Sequence, residues 1–110
     1  MAVGDRTESR LFGPSVVANT DTTLGTVPSS RVWVFKQLIF TNTNSSEAWI
    51  TVSIGSTSTI GNAVFYEIAI PAKDTVIFNT ALVLSASETI QAVSSVGGIN
   101  VIANGWVKEV

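Results

Sequence analysis

In the stretch AWITVSI, Ala48, Ile50, Val52 and Ile54 alternate with Trp49, Thr51 and Ser53. A period of two is the mark of a strand with one face in a core. That period recurs along almost the whole chain. In AVFYEIAI, Val64, Tyr66, Ile68 and Ile70 share one parity, and Ala63, Phe65, Glu67 and Ala69 share the other. RVWVFKQLIF is apolar on both parities apart from Lys36 and Gln37, which predicts a long central strand that bends or bulges at that polar pair. Further strands are expected in SVVAN, TLGTV, TVIFN, LVL, TIQAV and from Ile99 to Val107, with turn signals at VPSS, STSTIGN, PAKD, SASE and VGG between them. No apolar stripe at helical spacing persists for the length a helix needs. The expected fold is all-β, an antiparallel β-sandwich or jelly roll of about eight strands.

A length of 110 residues suits one domain. We place it at residues 14–110 and expect residues 1–13 to form a short N-terminal arm. The arm is set apart by its charge, because Asp5, Arg6, Glu8 and Arg10 all fall there in a chain with only eight acids and six bases. Leu11 and Phe12 follow as an apolar pair and would anchor such an arm on a neighbour.

With no cysteine and no histidine, disulfides, thiolate nucleophiles, Cys/His zinc sites and imidazole acid-base catalysis are all excluded. A serine nucleophile would need Lys36, Lys73 or Lys108 as its base, and no G-x-S-x-G, Ser-x-x-Lys, P-loop or G-x-G-x-x-G is present. Asp21, Asp74 and Glu88 sit in turn contexts, where an acid commonly bonds its own backbone. The chain is therefore not expected to be an enzyme, and no catalytic, cofactor-binding or metal-ligating residue is assigned. The polar interval TNTNSSE reads as a hairpin loop between two strands, with Asn42, Asn44, Ser45 and Ser46 chosen for turn geometry. Asn44-Ser45-Ser46 matches the glycosylation triplet, a chance match if no signal peptide is present.

A net charge of -2 with no basic stripe argues against nucleic-acid binding. No apolar run approaches the length of a membrane helix, and MAVGDRTESR lacks the apolar core of a signal peptide, so neither membrane insertion nor secretion is expected. Charged residues make up only 13% of the chain, which predicts a neutral surface rich in Ser and Thr or one covered by partners. The three tryptophans bear on this. Trp33, Trp49 and Trp106 each stand on the parity opposite to neighbouring aliphatic residues, so all three indoles are expected to face outward, where a second layer or another subunit would cover them.

The arrangement resembles that of small virion structural proteins of tailed bacteriophages. The pieces that carry the resemblance are Thr26-Val27-Pro28, Val34 to Asn44, Ile50 to Gly55, Ile70-Pro71 to Asp74, and Leu82 to Ile90. Members of that group serve as capsid decoration, fibre or tail components. The resemblance implies a β-sandwich that sits in the virion as an oligomer, with no catalytic residues. The leading expectation is a decoration (cement) protein, made in the host cytoplasm, that binds the major capsid protein on the outer capsid surface as a homotrimer. Arg6, Arg10, Leu11, Phe12, Trp33, Trp49 and Trp106 are its expected contact residues. The rival expectation is a tail or fibre-tip module that binds host polysaccharide through Trp33, Trp49 or Tyr66.

Overall fold

The computed structural model describes residues 6–55 and 60–109. Eight strands run in order as β1 (Arg6–Val17), β2 (Thr22–Thr26), β3 (Arg31–Asn42), β4 (Ala48–Ile54), β5 (Ala63–Ile70), β6 (Thr75–Leu84), β7 (Thr89–Ser94) and β8 (Ile99–Glu109). They form two four-stranded sheets, β1-β8-β3-β6 and β2-β7-β4-β5. All neighbouring strands are antiparallel. Only β4 and β5 are neighbours in both sequence and sheet, and every other connection crosses from one sheet to the other. This is an all-β sandwich with the interleaved strand order of a jelly roll.

The core lies between the sheets and carries an aromatic cluster at each end. Phe12, Trp33 and Phe35 meet with ring centroids 5.9 to 6.4 Å apart, while Phe40, Phe65 and Phe78 meet at 4.7 to 6.2 Å. Strand β3 contributes to both clusters because it bulges where the sequence predicted. Between Phe35 and Gln37 its register shifts against both neighbours: against β8 Lys36 is the residue left over, whereas against β6 the extra residue lies in β6, where Thr80 and Ala81 stand opposite Lys36. The bulge reverses the parity of the strand, so that Trp33 and Phe35 point inward before it, and Leu38 and Phe40 after it. A bulged strand changes which residues face a core without leaving the sheet.

That reversal corrects the expectation for Trp33, which is a core residue only 8% exposed. The alternation of AVFYEIAI is broken in the same way. Two residues of β5, Tyr66 and Glu67, stand opposite Thr51 of β4, Glu67 takes φ 48°, and its N–H donates to Thr51 Oγ1 at 2.9 Å. Phe65 and Ile68 both pack on the core as a result.

Two further expectations change. Residues 6–13 were expected in an arm but lie within β1, paired with β8 from Arg6↔Lys108 onward; residues 1–5 lie outside the described residues. TNTNSSE is not a hairpin loop. It carries the chain from β3 in one sheet to β4 in the other, and Asn42 at its root is fully buried.

Candidate functional site

The bulge at Lys36 shapes the outer face of the β1-β8-β3-β6 sheet. Across one level of this sheet β8 takes two steps from Gly105 to Ala103, β3 takes three from Phe35 to Leu38, and β6 takes four from Leu82 to Phe78. Three neighbouring strands with successively longer paths cannot stay flat. The sheet splays, and a depression of about 740 Å³ opens on its outer face, lined among others by Arg10, Lys36, Gln37, Asn79, Asn104 and Trp106. Gly105 is required beneath it, because a Cβ there would overlap the carbonyl oxygen of Val34 on the bulged strand.

Two cations and three amide side chains converge in this depression. Lys36 Nζ lies 5.1 Å from the centre of the Trp106 ring, close enough for a cation–π contact, and Asn104 Nδ2 donates to Gln37 Oε1 at 3.3 Å. Among the described residues no carboxylate lines the depression. The donor set suits a polar or anionic organic ligand, and its cations would repel a metal ion.

The second feature is the edge of the same sheet. Long exposed edges are normally guarded by charge, proline, bulges or shortness. β2 is five residues long and irregular at Leu24. β5 carries Glu67 and its bulge. β1 carries Arg6, Glu8, Arg10 and Pro14, with register shifts on either side of Phe12. β6, TVIFNTALVL, has no charge and no proline and is ten residues long, and its one irregularity is an extra residue where Thr80 and Ala81 stand opposite Lys36. It keeps strict in-out alternation over ten residues, and Ile77 and Val83 on its outer face are each 52% exposed.

The expected contact residues fall into separate groups. Arg10 and Trp106 meet in the depression. Leu11, Phe12 and Trp33 belong to the core and its margin. Trp49 is half-buried on the outer face of the β2-β7-β4-β5 sheet, and its backbone N–H donates to Ser95 Oγ at 3.1 Å. On the same outer face Thr51, Ser53 and Gln91 are all no more than 6% exposed within the single chain. Arg6 lies in β1, and its side chain is outside the described residues. Tyr66 is exposed. Lys36, Gln37, Asn79 and Asn104 were not anticipated; the Lys36-Gln37 pair inside an apolar run was the one signal that pointed to them. Among the acids, Asp74 Oδ1 accepts from Thr75 N–H at 2.8 Å and Glu88 Oε1 from Ser85 N–H at 2.6 Å, so both hold their own turns.

No protein-family model and no curated protein matches this chain. Solved structures with a similar arrangement include chains from infectious bursal disease virus. In the Gt strain the identity is 16%, with 96% of this chain and 30% of the other covered at a TM-score of 0.43. In the Gx strain it is 14%, with 96% and 29% covered at 0.43. A pentameric capsid protein isolated from metagenomic phage sequences is 18% identical, with 94% and 62% covered at a TM-score of 0.30. The chain thus spans less than a third of the two viral chains.

Proposed function

We propose that this protein is a non-enzymatic structural component of a phage virion, a decoration protein that binds the major capsid protein on the outside of the shell. The strand order carries the reading. An eight-stranded jelly roll is an architecture of virus capsid and lectin domains, and fold alone does not assign function. The surface supports assembly over catalysis, because the molecule has an uncharged open edge at β6 and few charges elsewhere. In this reading the protein functions by covering area and adding contacts between shell subunits, and the homotrimer expected from the sequence is the form in which it would dock.

One observation favours a second reading. The depression around Trp106 offers an indole, amides and two cations, the mixture by which a lectin-like module at a tail or fibre tip would hold a host polysaccharide. Copy number separates the two. Densitometry of purified particles should find hundreds of copies of a decoration protein, in fixed ratio to the major capsid protein. A handful per particle would move the protein to the tip, and absence from particles would end both readings.

A further inference from the structure

We propose that two copies of this chain pair through their β6 edges, antiparallel about a twofold axis at Thr80, joining two four-stranded sheets into one continuous sheet. Residues opposite one another in an antiparallel pair point to the same face. Outward residues of β6 must therefore meet outward residues of the other copy. In β6 these are Thr75, Ile77, Asn79, Ala81 and Val83, while Val76, Phe78, Leu82 and Leu84 point inward and Thr80, at the extra residue opposite Lys36, borders the depression. An axis at Thr80 places Ile77 opposite the partner's Val83, and Val83 opposite the partner's Ile77. The two large exposed apolar side chains of the strand then cover each other twice. On the inner face the same register sets Val76 against the partner's Leu84 and Phe78 against the partner's Leu82. An axis one residue earlier, at Asn79, would leave Ile77 against Ala81 and Val83 against Thr75. Axes further along the strand shorten the pairing.

The occupant is a second copy because the edge is complementary to itself. It has no charge to repel a like strand and no proline to interrupt the ladder, and its outer apolar residues are spaced symmetrically about Thr80. The other three edges carry charge or are short, whereas the one irregularity of β6, the extra residue opposite Lys36, leaves its in-out alternation of exposure intact. A twofold seam gives pairs, a contact separate from the homotrimer proposed for docking. The inference does not depend on the virion reading: pairing is read on the isolated chain, and the virion role on particles.

The test is sedimentation velocity of the full chain across a range of concentrations, with Ile77→Lys, Val83→Glu and the two combined. Within one chain the two positions lie six residues apart on a strand, roughly 20 Å, so the new charges cannot meet except across the seam. The unmodified chain should dimerise, and each single substitution should weaken the dimer about tenfold or more. The combined variant should recover to within about threefold of the original, because each lysine would face a glutamate of the partner. Thermal melting verifies that the variants fold, and Ile77→Thr with Val83→Thr, both good strand residues, should weaken pairing in the same direction. A chain that stays monomeric at all concentrations overturns the proposal, as does a dimer indifferent to the single substitutions. Loss without recovery in the combined variant overturns the register at Thr80.

Discussion

Gly105 is the residue on which the bulge of β3 depends. Where β3 carries Lys36 as an extra residue, the backbone at Val34 and Phe35 presses against β8, and a side-chain carbon at position 105 would collide with the Val34 carbonyl and crowd Phe35 Cα. Backbone atoms in the middle of a sheet cannot swing aside as a flexible side chain would. The bulge in turn lets Trp33, Phe35 and Phe40 all reach the core from one strand. Gly105→Ala should therefore destabilise the fold by about 2 to 3 kcal/mol, in the range of overpacked interiors. Urea denaturation measures this. A loss below half that value would mean that β3 and β8 separate more easily than the close approach indicates.

At the scale of elements, the connection between β3 and β4 is a polar knot. Asn42 Nδ2 donates to the carbonyls of Ser46 and Ile70, each at 3.0 Å, and its Oδ1 accepts from the N–H and Nδ2 of Asn44. Asn44 Nδ2 also donates to Gly97 O at 2.8 Å, and Thr43 Oγ1 donates to Gly98 O at 2.6 Å, tying the crossing to the turn before β8. Replacing Asn44 by Asp and Ser45 by Gly keeps good turn formers, and a free hairpin loop would tolerate both. Here the aspartate would set a carboxylate against two oxygens, so the double substitution should cost about 1 to 3 kcal/mol, read as a lowered denaturation midpoint. The sequence shows the polar interval, the bulge site and the strands clearly, since each is a local pattern. It does not show which sheet a strand joins, because that is set by pairings between residues far apart in the chain. Trp33 was misplaced for a related reason: Val32 and Val34 are half-buried on the outer face near the end of β3, and the aromatic pair Trp33 and Phe35 takes the inner face. The depression was hidden because it arises from three strands with different path lengths, a property of register rather than of any one segment.

For the whole molecule, the status of the first thirteen residues decides what a truncation means. An attached arm would be dispensable for folding, and its deletion would leave the melting temperature unchanged while weakening attachment to a partner. In this fold residues 6–12 form half of an edge strand that covers β8, with Thr7 opposite Val107, Arg10 opposite Asn104 and Phe12 opposite Ala103. Phe12 closes one of the two aromatic clusters, and Leu11 packs at its margin. Phe12 is partly buried, so its loss costs less than the roughly 3 to 5 kcal/mol of a fully buried aromatic side chain, and the deletion would also strip the hydrogen-bonding partner from half of β8, leaving a second open edge. Deleting residues 1–13 should therefore lower the melting temperature by at least about 10 °C and promote association of the truncated chain. Attachment to particles is better probed with Arg10→Ala, since Arg10 is exposed on the outer face and lies beside no core cluster. Differential scanning calorimetry of the truncated chain settles the point: an unchanged transition would return these residues to the role of an arm, and a large loss fixes β1 as a structural edge of the jelly roll.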